Sequence, residues 1–480
     1  MISAPKSGSG KTTLTCAILQ LLKNHGKRPV AFKCGPDFID PMFHKQVLGI
    51  HSTNLDSFFV DEEEVRQIFS ENMAEGDCAV IEGVMGLFDG LGGTSLKASS
   101  YDIVRITKTP ILLVIDAEGA SRSIVPLVRG FLDYDKAHSG TGENLIKGIF
   151  LNKVSKGTFQ LLKSLIEEET SSEYGVKVIG YLPKDSKDVW KSRHLGLLLP
   201  DEIKNLKEQI QNTARTLETT LDFEALEKIS NGALRVGSDG ETSPFEIKTS
   251  TNSAFRIPNS ELTLAVALDE AFCFYYHENL KILEKSGAKL VYFSPLHDKS
   301  LPNGVNGLLI GGGYPELYAS PLQANESMRK SIKSAVDGGL PVMAECGGFM
   351  YLQEKIITET GESYEMCGAI KGESRYTGKL VRFGYADFAL KGGAYEKAGG
   401  ENPCLSRDFS IKGHEFHYFD STNNGADFTA SKPLSKKSWD CMIFTPTMLA
   451  GFPHLYYRSS PEIVRWFLET ALTRTKPHIY

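Results

Sequence analysis

Apolar residues fall along the first part of the chain in short, nearly continuous runs, separated by stretches at helical spacing. The runs 30–33, 79–81, 111–115, 146–151 and 176–181 carry few polar residues and little alternation. Strands buried on both faces read this way, as in a parallel sheet covered by helices. Residues 12–24 instead repeat apolar positions at a helical period and stop at Gly26, a residue suited to the left-handed turn that ends helices. This alternation predicts an α/β, doubly wound domain over 1–200. Residues 201–260 break the rhythm. Charged helical sequence over 202–228 gives way to Gly, Ser, Thr and Asn with few large apolar residues, which predicts a helical segment and a linker. From Leu262 the rhythm restarts, with runs at 264–268, 289–293, 307–310 and 341–343. A second α/β domain is expected over 261–480, and no internal repeat is visible.

Composition narrows the class without naming a function. The 480 residues are 41% hydrophobic and 23% charged, which fits folded domains and excludes global disorder. A net charge of −6 gives no electrostatic reason to expect nucleic acid or an anionic membrane as partner, so an anionic ligand must be held by a local site. Runs such as 110–117 reach about half of the ~18 residues that a spanning helix needs. No signal-peptide pattern opens the chain, and the cytoplasm is the expected location. The eight cysteines are scattered without a CxxC pair, which predicts reduced and mostly buried thiols.

The first chemical signal is Ala4-Pro5-Lys6-Ser7-Gly8-Ser9-Gly10-Lys11-Thr12-Thr13, directly before the first helical stretch. Gly8 and Gly10 let backbone amides wrap closely around phosphate oxygens at a helix N-terminus. Lys11 is expected on the β- and γ-phosphates, and the Thr12 hydroxyl on Mg²⁺. Pro5 replaces the first glycine of the GxxxxGK[ST] pattern. The loop fits the variant KxGxGK[ST], in which Lys6 adds a phosphate contact and Thr13 completes the ATP-binding set. Only about three residues precede the loop, so the first strand is expected to be very short, cut at its start or continued upstream.

Carboxylates for the metal belong at the ends of other strands. Glu82 ends the run 79–81, and Asp37 and Asp40 follow the run 30–33. Asn152 ends the run 146–151 and is a candidate for the adenine edge.

The second signal is Pro341-Val342-Met343-Ala344-Glu345-Cys346-Gly347-Gly348-Phe349-Met350, a strand, a tight turn and a helix start. This arrangement exposes a nucleophile above a sheet edge, with the Gly347 amide available to an oxyanion. A helix N-terminus is expected to lower the Cys346 thiol pKa. Gly312 and Gly313, in Gly311-Gly312-Gly313-Tyr314-Pro315-Glu316, offer a further oxyanion donor. His454 is the foremost candidate base, with His414 and His417 in competition. Their spacing is not HExxH, which argues against a zinc protease.

The segments APKSGSGKTT, KCGPDFIDPMFH, IEGVMGLFDG, SRHLGL, GGGYPE, AECGGFMYL and GHEFHY run in one order over the whole chain. Together they resemble the cobyrinic acid a,c-diamide synthase family. That resemblance implies a P-loop, dethiobiotin-synthetase-like domain followed by a class I glutamine amidotransferase-like domain. It further implies amidation of the a and c carboxylates of cobyrinate or a related tetrapyrrole polycarboxylate, with ATP, Mg²⁺ and L-glutamine. Cys346 would form a γ-glutamyl thioester, His454 would move its proton, and the released ammonia would attack an acyl phosphate. The substrate would be met by Asp40, His44, Asp89, Arg193 and His194, with Arg382 a further candidate in the second domain. Class I amidotransferases place a glutamate two residues after the histidine, and Tyr456 stands there instead, leaving the third triad member unassigned. Two other readings stand beside this one: a nickel-sirohydrochlorin amidase with the same motifs, and a MinD- or ParA-like switch ATPase. No nucleic-acid or membrane partner is expected, and the oligomeric state is left open, a homodimer included.

Overall fold

The computed structural model describes residues 1–184, 206–232, 256, 262–397 and 404–473. They form two compact units, Met1–Lys248 and Thr249–Tyr480.

The first unit is built on seven strands: β1 (Ile2–Ser3), β2 (Pro29–Cys34), β3 (Ser52–Leu55), β4 (Cys78–Glu82), β5 (Ile111–Asp116), β6 (Ile146–Asn152) and β7 (Lys177–Leu182). Their order is β3-β2-β4-β1-β5-β6-β7, and every pairing is parallel. The short β1 lies between β4 and β5, with Ile2 opposite both Glu82 and Leu112. All carboxyl ends therefore open on one edge, where the loop after β1 leads into helix α1 (Lys11–Asn24). Ligands bind at such edges in open α/β sheets. Leu14, Ile18 and Leu21 of α1 join Val114 and Phe150 of the sheet in one apolar core. The helix Leu206–Thr220 presents Leu206, Ile210, Ala214 and Leu217 at helical spacing, and this stripe is buried in the same core. Burial of each Leu or Ile contributes about 1.5–3 kcal/mol, so this charged helix is held by one face.

The second unit centres on a six-stranded sheet. Its order is Lys289–Phe293, Thr263–Ala267, Gly307–Ile310, Val342–Glu345, Met448–Gly451 and Ile443–Thr445, and only the last pairing is antiparallel. A second, antiparallel sheet runs Ser438–Cys441, Phe428–Ser431, Arg382–Leu390, Ser410–His417 and His454–Leu455. Ala386, Phe388 and Leu390 alternate into the core, the period-2 pattern of a half-buried strand. In this sheet His414 pairs directly with His454.

Candidate active sites

In the first unit the phosphate loop is fixed by contacts from the ends of β4 and β6. Gly10 caps α1 with φ 92°, a left-handed conformation, and a β-carbon there would stand 2.2 Å from Asn152 Nδ2. That amide donates to the Ser9 carbonyl at 2.9 Å. Asn152, expected at an adenine edge, is thus committed to the loop backbone through its Nδ2. Lys11 Nζ donates to the carbonyls of Lys6 at 3.3 Å and Met85 at 2.5 Å. Burial, then the nearby Lys33 charge, lowers its pKa to about 8, against the pull of Glu82, Asp40 and Asp89. A desolvated ammonium held this way gains strongly from a polyphosphate. Lys6, Ser7 and Gly8 are exposed, and Thr13 is half-buried beside Thr12.

Thr12 and two acids converge below the loop. Thr12 Oγ1 donates to Glu82 Oε1 at 2.7 Å and lies 3.3 Å from Asp40 Oδ1. Glu82 is fully buried, with Oε1 toward Thr12 and Oε2 3.3 Å from His44 Nε2. Three hard oxygen donors on one spot suit Mg²⁺, which takes a hydroxyl, one or two carboxylates and substrate phosphates. Among the described residues no group of three His, Cys, Asp or Glu forms a closed metal cage, and this mode of binding needs none.

Sequence reasoning missed Lys33. Its Nζ lies 2.5 Å from Asp40 Oδ2, 3.1 Å from Glu82 Oε1 and 3.8 Å from Asp37 Oδ2, with 3% of the side chain exposed. Burial alone would lower its pKa, but Asp40, Glu82 and Asp37 outweigh that and hold it above the ordinary lysine value. The cluster is therefore a buried ion network whose members depend on one another.

Several expected roles shift in this geometry. Asp37 Oδ1 accepts from the amides of Ile39 at 2.8 Å and Asp40 at 3.2 Å, so Asp40 takes the place beside Thr12 that was assigned to Asp37. Asp40 is accordingly buried among metal-type donors rather than at a substrate edge. His44 is fully enclosed, with Nδ1 on Ser52 Oγ at 3.0 Å and Nε2 3.3 Å from Glu82 Oε2. It supports Glu82 from behind and has no surface to offer a large substrate. Asp89 is exposed, and its Oδ2 accepts from the Gly86 amide at 2.9 Å. Arg193 and His194 lie outside the described residues.

In the second unit Cys346 adopts φ 47° and ψ −105° between the strand Val342–Glu345 and the helix Gly347–Leu352. Among the described residues six non-glycines have positive φ, and Cys346 is one of them. Such backbone strain persists where surrounding structure imposes it. Here the Cys346 amide donates to Gly451 at 2.8 Å. A β-carbon on Gly347 would come 3.1 Å from the Gly313 amide nitrogen, so the two glycine turns pack against each other. A β-carbon on Gly312 would stand 2.4 Å from His454 Cε1. The elbow, the candidate oxyanion donors and the imidazole thus form one constellation.

The electrostatics correct one expectation. Cys346 is 8% exposed, and its thiol pKa is raised rather than lowered. Burial is the main cause, followed by Glu316, with Glu415 and Glu345 adding to it against a hydrogen bond from the Gly347 amide. A helix of six residues does not overcome that desolvation. Burial, then His417, lowers His454 to about 3, so the imidazole is neutral. The resting pair is thiol and neutral imidazole.

The competing histidines are engaged elsewhere. His414 Nδ1 meets Tyr276 Oη at 2.8 Å, and its ring stacks on His454 at 5.0 Å and 18°. His417 Nδ1 donates to the Phe419 carbonyl at 2.6 Å, and its ring stacks on Phe452 at 4.1 Å. Tyr456 packs edge-on to Tyr276 at 5.3 Å. Sequence reasoning also missed Glu345, whose Oε1 accepts from Tyr457 Oη at 3.1 Å and from the Leu455 amide at 3.4 Å. It ties the residue before the nucleophile to the residue after the base.

Comparison with known proteins matches both units. Residues 1–197 match the family described as the CobQ/CobB/MinD/ParA nucleotide binding domain, and residues 263–458 match the CobB/CobQ-like glutamine amidotransferase domain. The chain is 38% identical over 473 residues to the cobyrinate a,c-diamide synthase of Caldanaerobacter subterraneus subsp. tengcongensis, covering 98% of this chain and 97% of that one. It is 38% identical over 475 residues to the synthase of the same name from Listeria innocua, covering 97% of each. The synthase of that name from Thermoplasma volcanium is 34% identical over 481 residues, covering 99% of this chain and 98% of its own. With both domains matched in order and relatives of one name alignable end to end, the chain belongs to the cobyrinate a,c-diamide synthase family, a family of glutamine-hydrolysing amidoligases.

Proposed function

We propose that the chain amidates the a and c carboxylates of cobyrinate, using ATP and ammonia from glutamine, in cobalamin biosynthesis in the cytoplasm. The observation that carries this reading is the Cys346 constellation on the same chain as a phosphate loop. A switch ATPase has no use for Cys346, Gly312 and His454 in one place, and an isolated glutaminase has no use for Lys11.

In the second unit, Cys346 Sγ attacks the glutamine amide carbon while His454 takes the thiol proton. The Gly347 amide, with Gly312 or Gly313, receives the oxyanion. The imidazolium then gives its proton to the departing nitrogen, ammonia leaves, and water hydrolyses the γ-glutamyl thioester to glutamate. The low pKa of His454 leaves the imidazole neutral before the attack and makes the imidazolium, once formed, a strong acid toward the departing nitrogen.

In the first unit, a substrate carboxylate oxygen attacks the γ-phosphorus of ATP and ADP leaves. Ammonia attacks the resulting acyl phosphate, and phosphate departs with the oxygen that a bare carboxylate could not release. Lys11 and the loop amides hold the polyphosphate and draw charge toward the leaving groups. Mg²⁺, when bound at Thr12, Asp40 and Glu82, neutralises phosphate charge.

The test is product mass analysis with purified protein, ATP, Mg²⁺ and glutamine, offering cobyrinate and nickel-sirohydrochlorin separately. Two amidations on cobyrinate and none on the nickel tetrapyrrole are expected. The reverse result would transfer the activity to the nickel substrate.

A further inference from the structure

Lys33 stands in β2 between Phe32 and Cys34, and only 3% of it is exposed. Lysine is almost never enclosed to this degree unless it is paired. Parallel register sets Lys33 beside Glu82 of β4, and side chains at paired positions leave the sheet on the same face. Asp40 reaches the same place from the short helix Ile39–Met42, which follows β2. The ammonium donates to Asp40 Oδ2 at 2.5 Å, to Glu82 Oε1 at 3.1 Å and to the Gly83 carbonyl at 3.2 Å. An ammonium has three protons, and each has an acceptor here. Lys11 differs, since its partners are neutral loop carbonyls that phosphate oxygens can replace.

The acceptors of Lys33 are also the metal donors. Thr12 Oγ1 shares Glu82 Oε1 with it, at 2.7 Å, and lies 3.3 Å from Oδ1 of Asp40. The ammonium and a metal ion therefore draw on the same two carboxylates, whose joint charge the ammonium has already halved. Mg²⁺ dehydrates reluctantly and is held through one or two carboxylates together with substrate phosphates. Repulsion between two cations is weakly screened in a buried site, so a divalent ion alone gains little there. The polyphosphate of ATP brings the negative charge that Lys33 takes away.

We propose that Lys33 is a built-in counter-cation that makes the metal site conditional on ATP. It keeps free divalent ions off Asp40 and Glu82 and lets the metal in only with the phosphates. Without it, two buried carboxylates and a hydroxyl would collect oxygen-seeking ions before any substrate arrived. The inference rests on the reading of Thr12, Asp40 and Glu82 as the metal site. Lys33 is a positioning residue in this scheme, acting through the carboxylates and not on the reacting atoms.

Mn²⁺ is the probe, because carboxylate and hydroxyl oxygens suit it as they suit Mg²⁺. Free Mn²⁺ is read by electron paramagnetic resonance in titrations of the purified full chain, without nucleotide and then with a non-hydrolysable ATP analogue. Without nucleotide the wild type is expected to bind Mn²⁺ only at millimolar concentration. Lys33→Met is expected to bind it about 10- to 100-fold more tightly, the span by which groups behind metal ligands change affinity. Lys33→Arg keeps the charge and is expected to stay weak. If Lys33→Met is no tighter than wild type while both hold Mn²⁺ with the analogue, the counter-cation is refuted and the metal site stands. Micromolar binding by the nucleotide-free wild type refutes it as well, with no variant needed. If the gain persists in Lys33→Met combined with Asp40→Ala, the metal binds elsewhere and the metal-site reading fails first.

Discussion

Gly312 and His454 touch so closely that a β-carbon at Gly312 would stand 2.4 Å from Cε1 of the imidazole and 3.2 Å from Nδ1. The glycine therefore sets where the base can sit. Gly312→Ala is expected to push the ring from its position and lower glutamine-dependent amidation by about 100-fold, the scale of a misplaced catalytic group. Ammonia-dependent amidation should be unchanged. Parallel assays with the two nitrogen sources check this, and an equal loss in both would refute it.

The strain at Cys346 has its own signature. At φ 47° a non-glycine residue is costly by about 1–3 kcal/mol. Cys346→Gly should relieve that cost, whereas Cys346→Ala keeps it, and both variants lack the thiol. The glycine variant should thus unfold at a higher denaturant concentration than the alanine variant. The reverse order would mean that packing of the β-carbon, not backbone strain, dominates at the elbow.

The buried ions below the phosphate loop predict an asymmetry between binding and stability. Lys11→Ala should abolish amidation with either nitrogen source while leaving the fold intact, since Lys11 reaches only loop carbonyls. Glu82→Ala should abolish activity and also destabilise by about 3–5 kcal/mol, because it strips partners from Lys33 and Thr12 in a buried network. Denaturant melts distinguish the two, and equal stability of both variants would contradict the network.

Glu345 makes stability depend on pH in an unusual direction. Burial raises its pKa from 4.5 to about 8, opposed by hydrogen bonds from Tyr457 and Leu455. Between those values the folded state holds a proton that the unfolded state has released. Stability therefore falls as pH rises through that window, by at most about 1.4 kcal/mol per unit. Glu345→Gln keeps an acceptor for Tyr457 and loses the charge. It should flatten the profile and melt higher than wild type on the alkaline side. Identical profiles would remove Glu345 as the source.

Much of this arrangement was legible in the sequence because it is local. The runs at 30–33, 111–115 and 307–310 became strands with boundaries moved by two residues or fewer, since continuous apolar runs suit strands covered on both faces. The strand Ser52–Leu55 was not legible. Its buried Ser52, Thr53 and Asn54 are satisfied by His44, Asn72 and the carbonyls of Gly35 and Asp37, partners that hydropathy does not see. Lys33 was missed for the same reason. A lysine ending a strand reads as a solvated charge until folding brings Asp40 and Glu82 to it from other elements. The raised thiol pKa of Cys346 likewise depends on Glu316 and Glu415, which only the tertiary structure places nearby.

In the proposed reaction two chemically separate sites on one chain divide the work, with Cys346 supplying nitrogen and the phosphate loop activating the carboxylate. The most direct measurement is cobyrinate amidation by Cys346→Ala, with glutamine and then with a high concentration of free ammonia, scored by product mass. No amide from glutamine and wild-type amounts of the a,c-diamide from ammonia are expected. Loss of both in a folded variant, or amide formed from glutamine without the thiol, would contradict that division of work.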